Sequence, residues 1–191
     1  MDVAHENRVS DANGISIGII SPDGRQGMID HATQFADAGI PFIFDPGQGL
    51  PMFDGDDLKA FIDKAAWVSV NDYELQLMQE RTGLSPHEIA ERVDALIVTL
   101  GGEGSHIYTD QQRIDIPAAP AKHLHDPTGC GDAFRGGLLY GLMNKLDWEK
   151  TGRIAALMGA IKIEHHGTQN HNFTLDEFAQ RYRESFGTEL V

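Results

Sequence analysis

The sequence predicts an α/β protein of three layers, α/β/α, with a doubly wound and mostly parallel sheet. Short apolar runs of strand length alternate along the chain with stretches in which apolar residues recur at helical spacing. The stretches between the runs are long enough to hold a crossover helix, which parallel neighbours require. With 191 residues, 41% of them hydrophobic, the chain has material for one large domain and its core, at roughly 100 to 200 residues per domain.

Residues 1–13 are polar and without period, and the first strand is expected in the apolar run 15–20. Met28, Ile29, Ala32, Phe35 and Ala36 follow at helical spacing and stop at Gly39, a suitable residue just past a helix end; residues 41–45 then resume a strand. A Gly/Pro loop over 46–55 precedes a helix with Leu58, Phe61, Ile62 and Ala65 on one face, and 67–70 is the next strand. Asn71 is placed to cap a helix over 72–81. Ser85-Pro86-His87-Glu88 combines a capping box with proline at the first helical position. Residues 95–100, ALIVTL, form another buried strand, and 106–109 with 113–116 read as a hairpin at the sheet edge. Two apolar helices are expected over 133–146 and about 151–165, both with Gly and Ala at spacings that permit close packing. A last helix starts after Thr174, with Glu177 completing a capping box and Phe173 and Phe178 placed as a hydrophobic staple. Ligands of such sheets collect beyond the carboxyl ends of strands, which directs attention to the loops after Val70, Leu100 and Leu124.

Composition excludes several classes. Cys130 is the single cysteine, so there is no internal disulfide framework and no cysteine-rich zinc module; a reducing, cytoplasmic setting is expected. No apolar stretch approaches the ~20 residues that cross a bilayer, and no membrane partner is expected. Fifteen Lys and Arg against 29 Asp and Glu give a net charge of −14, a field that repels a nucleic acid backbone. Any small phosphate bound against that field belongs on backbone N–H groups at a helix start.

The segment Asp126-Pro127-Thr128-Gly129-Cys130-Gly131-Asp132-Ala133-Phe134 offers such a place just before a long predicted helix. Gly129 and Gly131 let the backbone turn so that successive N–H groups and the positive helix end converge on one point, an anion hole. Asp132, in the first helical turn, would face that point, where a carboxylate can remove the proton of a hydroxyl attacking phosphorus. On these residues alone a plainer reading is equally open: Asp132 complements the helix dipole and the glycines make a turn.

The full string resembles the carboxyl-terminal signature of the PfkB, or ribokinase-like, carbohydrate and nucleoside kinases, D-[ST]-x-G-A-G-D-x-F. Pro127 stands where a small hydroxylic residue is usual and Cys130 where alanine is usual; both lend backbone more than side chain. The resemblance implies that Asp132 is the catalytic base and that the amides of Gly129, Cys130 and Gly131 hold the transferring phosphoryl group. Asn71-Asp72-Tyr73-Glu74 resembles the family's N-x-x-E motif, whose acidic residue, here Glu74, acts through water on the Mg²⁺ bound to nucleotide phosphates; by itself, an N-cap with its capping-box partner accounts for the same four residues. Thr99-Leu100-Gly101-Gly102-Glu103-Gly104 resembles the T-L-G-x-x-G loop that passes along the nucleotide. Asn71, Thr99, Gly101, Gly104, Gly131 and Asp132 are thus the implied nucleotide-binding set. Residues 164–169, EHHGTQ, resemble a region that joins the first and third signature residues in offering oxygens to an activating monovalent cation, so Asp126, Thr128 and Gly167 are the implied ligands and K⁺ the implied ion. His165, His166 and His171 do not carry zinc spacing, since adjacent histidines face different ways on a helix and no H-E-x-x-H is present.

The resemblance therefore implies a ribokinase-like fold that takes ATP and Mg²⁺ and phosphorylates a hydroxyl of a nucleoside, adenosine first, or of a sugar. It covers about 15–186, the carboxyl-terminal part of such kinases. Residues 1–14 are expected to be a ragged remnant of an amino-terminal portion, and 15–191 the nucleotide-binding and catalytic domain. The family's lid and first strand are not visible, which leaves an apolar sheet edge as a route to a homo-oligomer. An alternative function is a nucleotide-binding remnant with impaired catalysis. A thiol at a helix start is open to a lowered pKa and reactivity, although no partnered base can be named for Cys130. A dinucleotide oxidoreductase and a P-loop NTPase are both disfavoured, since no G-x-G-x-x-G follows the first strand and no G-x-x-x-x-G-K-[ST] occurs.

Overall fold

A computed structural model describes residues 7–110 and 112–190. Among the described residues six strands follow one another across a sheet in chain order: β1 (Gly18–Ile20), β2 (Phe42–Phe44), β3 (Trp67–Asn71), β4 (Ala95–Thr99), β5 (Ser105–Tyr108) and β6 (Arg113–Ile116). β1 to β4 are parallel, as the helix-length crossovers require. The helices are α1 (Arg25–Asp37), α2 (Gly55–Ile62), α3 (Asp72–Thr82), α4 (Pro86–Ala90), α5 (Cys130–Met143), α6 (Trp148–Ile163) and α7 (Leu175–Phe186). The chain divides into two compact units, one running to Leu100 and including His106–Arg113, the other comprising Gly101–Ser105 and the chain from Ile114 onward.

In the first unit alternate strand residues share one core with the helices. Phe42, Phe44, Val68, Val70, Leu96 and Val98 pack with Met28 of α1, Phe61 of α2, Met78 of α3 and Ile89 of α4. Their neighbours Ile43, Ala95 and Ile97, which point to the other face, are also fully buried. Burial on both faces explains why these strands read as continuous apolar runs rather than alternating ones. The capping boxes legible in the sequence are formed at Asn71 and Ser85, and Asp54 and Asp57 make a third ahead of α2.

Several elements differ from expectation. Only 18–20 of the 15–20 run pairs as strand, so the edge strand β1 is three residues long, too short to present an extended apolar edge. Within the expected Gly/Pro loop, Gly47–Met52 form a 3₁₀ helix, and Leu50 and Phe53 are sealed in the core. The Arg81 guanidinium donates to the carbonyls of Leu50, Pro51 and Phe53 and braces this proline-containing turn, in which Leu50 O also accepts the Phe53 N–H at 3.1 Å. Residues 117–129 hold neither strand nor helix, and Leu124 is exposed, so no strand end lies there. Val9 N–H donates to Gln34 Oε1 at 2.8 Å and the His31 ring lies 3.1 Å from Asn7 O, which ties the start of the described chain to α1. Residues 1–6 of the expected remnant lie outside the described residues.

In the second unit α5 and α6 both begin three residues earlier than the apolar periodicity suggests, α6 because Asp147 caps it through Lys150 N–H at 2.8 Å. Glycines set how closely the two helices approach. A Cβ on Gly137 would stand 2.6 Å from Ala155 Cα, and one on Gly141 2.5 Å from the Thr151 side chain. α7 adds Phe178 and Tyr182 to Ile154, Leu157 and Ile161, its capping box forms at Thr174, and the predicted staple is made, with Phe173 and Phe178 ring centroids 5.2 Å apart. The buried Glu164 carboxylate takes both Arg181 nitrogens, at 2.7 and 2.8 Å, and Lys122 N–H at 2.6 Å. Burial alone would raise its pKa, yet these donors hold it below the ordinary value.

Gly137→Ala should lower the urea-unfolding free energy by about 1–3 kcal/mol through overpacking. Gly136→Ala, where a Cβ meets nothing within 4 Å, should be neutral or stabilising by up to about 1 kcal/mol. Equal losses at the two sites would show that helix approach is not the constraint.

Candidate active site

The turn into α5 is built around Gly129, whose φ of +83° would cost a residue bearing a Cβ about 1–2 kcal/mol. Cys130 N–H donates to Pro127 O at 3.1 Å and closes the turn. The Cys130 amide, expected in the anion hole, is therefore engaged within the protein. Asp54, Asn71, Ser85, Asp147 and Thr174 each cap their helix with a side-chain oxygen, whereas Gly129 provides none for α5. The positive end of α5 and the first-turn amides of Gly131 and Asp132 are thus left open at the cap position. Asp132 is 71% exposed, and its Oδ1 accepts Arg135 Nη2 at 2.7 Å, one helical turn on.

Asp126 fixes this turn from below. Its Oδ1 accepts Thr128 N–H at 2.9 Å and its Oδ2 accepts Gly167 N–H at 2.8 Å. Hydrogen bonds from Thr128 above all, then from Gly167, hold its carboxyl far below the usual carboxylate range. The N–H groups of His125 and Asp126 donate to Ile163 O at the end of α6, at 2.9 and 3.2 Å. The carbonyl of Asp126 accepts Lys162 Nζ at 2.7 Å; the same ammonium donates to His165 O at 3.2 Å, and Lys162 is fully buried.

Of the oxygens that the implied K⁺ site would use, the Asp126 carbonyl already holds the Lys162 ammonium, while the Asp126 carboxylate accepts the N–H groups of Thr128 and Gly167. Burial pushes the Cys130 thiol pKa up, the reverse of a reactive cysteine, and its Sγ sits 3.9 Å from Asp126 O. His165 Nδ1 is 2.9 Å from Ile161 O, His166 is almost fully exposed 3.5 Å from Asp126 Oδ2, and burial lowers the His171 pKa. Among the described residues no three His, Cys, Asp or Glu side chains come together to hold a metal. Lys162 and Arg135 belong to none of the motifs above; the one sign of Lys162 in the sequence is a lysine between the apolar residues 161 and 163.

In the first unit Asn71 and Thr99 are register partners at the carboxyl ends of β3 and β4. Asn71 Oδ1 accepts Glu74 N–H at 2.7 Å and Glu74 Oε2 accepts Asn71 N–H at 2.8 Å, so the capping-box reading of this motif is realised. It also pins the Glu74 carboxylate at the strand end. Gly101 opens a 3₁₀ turn with φ +58°, and Gly104 has φ +100° with Ile116 O only 2.1 Å from where a Cβ would be. A cleft of about 890 Å³ in the first unit lies between residues 7–12 and α1, and none of the motif residues lines it.

A sequence model of pfkB family carbohydrate kinases matches residues 4–175. The chain belongs to the PfkB family. It is 37% identical over 138 residues to a nucleoside kinase of Methanocaldococcus jannaschii, covering 72% of this chain and 46% of that protein. A nucleoside kinase of Thermoplasma acidophilum is 33% identical over 147 residues, 75% of this chain and 48% of that one. Among solved structures, Burkholderia thailandensis nucleoside kinase in complex with inosine superposes with a TM-score of 0.93 at 50% identity, over 96% of this chain and 60% of that one. The chain thus spans about half the length of the curated relatives it matches. The fold of this PfkB chain is accordingly ribokinase-like; the M. jannaschii enzyme, described as an archaeal member of the ribokinase family, superposes at a TM-score of 0.84 with 32% identity.

A depressed carboxyl pKa makes Asp126 a source of stability that is complete above its unfolded value, about 3.9, and is lost as pH falls through the lower folded value. Asp126→Asn should unfold at lower urea than the native chain at pH 7, and the gap should narrow at pH 3 and below. A gap that is constant with pH would assign the loss to geometry rather than charge.

Proposed function

We propose that this chain carries phosphoryl transfer from ATP to a hydroxyl of a nucleoside, with purine nucleosides first and ribose-like sugars second. The observation that supports this most is the turn into α5: an uncapped helix start with an exposed aspartate in its first turn, on a chain half identical to a kinase solved with inosine and with ADP-inosine.

The amides of Gly129, Gly131 and Asp132 would receive the equatorial oxygens of the γ-phosphoryl group, where charge grows during transfer. Neutral backbone donors suit a chain of net charge −14, because they attract the phosphate without requiring a basic patch. Asp132 would take the proton of the attacking hydroxyl. Arg135 engages its Oδ1 and, with the side chain largely exposed, leaves the carboxylate open to an acceptor. Thr99, Gly101 and Gly104 are assigned to the nucleotide, the glycines because backbone can approach it there without a side chain between. Mg²⁺ usually keeps several waters and takes one or two carboxylates beside the substrate phosphates, a demand that Glu74, held by Asn71, fits. When bound, Mg²⁺ supplies neutralisation of the β- and γ-phosphates. A cytoplasmic setting agrees with the single cysteine, and among the described residues no helix is long and apolar enough to cross a membrane. Self-association through the edge of β1 is less favoured than the sequence suggests, because its ladder is three residues long.

Incubated with Mg-ATP and a panel of inosine, adenosine, other nucleosides and ribose, the chain should release ADP fastest with a purine nucleoside. Asp132→Asn should lower that rate about 10²-fold to 10⁴-fold with little change in ATP affinity by calorimetry. ATP binding without ADP release would support the alternative of a nucleotide-binding remnant, and neither binding nor release would refute the kinase reading. Unchanged turnover in Asp132→Asn would remove the assigned base.

A further inference from the structure

Lys162 is fully buried, and its two recorded acceptors are carbonyl oxygens, not carboxylates. A buried ammonium is tolerated only where its donors are met and negative charge lies close. Both conditions hold at this place. Asp126 O accepts at 2.7 Å and His165 O at 3.2 Å, while the deprotonated Asp126 carboxylate belongs to the same residue. Lys162 is also the penultimate residue of α6, so its charge lies by the negative end of that helix. The remaining titratable groups here are His165, His166, His171 and Cys130. Burial disfavours the charged form of His171 and of Cys130, and His166 faces solvent. Carbonyl oxygens from two loops, a carboxylate and a helix carboxyl end together make the surroundings of a bare monovalent cation, and the chain places its own ammonium among them.

We propose that the Lys162 ammonium is the resident cation of the turn into α5, bridging the Asp126 and His165 carbonyls so that the turn needs no exchangeable K⁺ there. It joins the end of α6 to the carbonyl of Asp126, and Asp126 in turn orients Thr128 and Gly167. The turn accordingly forms without K⁺ in the medium. This holds whether or not the chain transfers phosphate, because the inference concerns what keeps the turn in shape.

Thermal unfolding of the chain at one ionic strength in KCl, NH₄Cl, NaCl and choline chloride tests it. The native chain should melt at the same temperature in all four. Lys162→Ala, which vacates the ammonium's place, should melt about 4 °C or more lower in choline and recover part of the loss in KCl and NH₄Cl. Lys162→Met, which fills the space with an apolar side chain, should be lowered alike in all four salts. A native melting point that climbs specifically with K⁺ would overturn the proposal. So would a Lys162→Ala chain that is equally stable, or equally unfolded, in every salt, and so would K⁺ rescue of Lys162→Met.

Discussion

Asp126 is the residue on which the turn into α5 depends. Its two carboxylate oxygens, its carbonyl and its N–H are all engaged, with Thr128, Gly167, Lys162 and Ile163. Those bonds draw a loop with no regular structure, the end of α6 and the residues before α5 onto one point. The consequence reaches Gly129, which must take a left-handed conformation to start α5 without a capping side chain. An open helix start is a liability to stability, worth roughly 0.5–2 kcal/mol in a helix that lacks its cap. The tie at Asp126 supplies the rigidity that the absent cap would otherwise have provided.

The first unit solves a related problem differently. At the end of β3 the chain caps α3 through Asn71 and Glu74, and the reciprocal bonds satisfy two backbone donors while fixing a carboxylate at the carboxyl end of a parallel strand. A capping box and a ligand role are not competing descriptions of these residues. The bonds that stabilise the helix also remove the rotamer freedom that would otherwise have to be lost when a ligand binds.

Charge explains why the two devices differ. A cationic surface that gathers an anion would work against a field of −14, whereas the backbone dipoles of a helix start attract one without adding charge. Among the described residues the one cation brought fully out of water, Lys162, meets carbonyls and lies at the foot of the turn rather than facing outward. Arg135 reaches the exposed Asp132 instead. Positive charge in this region is thus placed to hold acidic and carbonyl oxygens in position.

Much of the fold was legible because its signals are local. Strands buried on both faces appear as unbroken apolar runs, and the caps at Asn71, Ser85 and Thr174 follow from hydrogen-bonding groups three residues apart. The D-P-T-G-C-G-D string placed the turn and its aspartate for the same reason. What the pattern could not carry was anything decided by partners distant in sequence. The 3₁₀ helix at Gly47–Met52 exists because Leu50 and Phe53 enter the core and Arg81, some thirty residues on, satisfies its carbonyls. The Cys130 amide and the Asp126 oxygens, expected to meet ligands, find donors and acceptors inside the protein, from Pro127 and Thr128 close by to Gly167, 41 residues beyond Asp126. Sequence alone determined where helices start, where strands run and which turn bears the aspartate, since these are settled within one or two turns of chain. Only the tertiary structure decided which polar atoms remain open and which are already satisfied, since an ammonium carried by α6 competes for the same oxygens as any ion from solution.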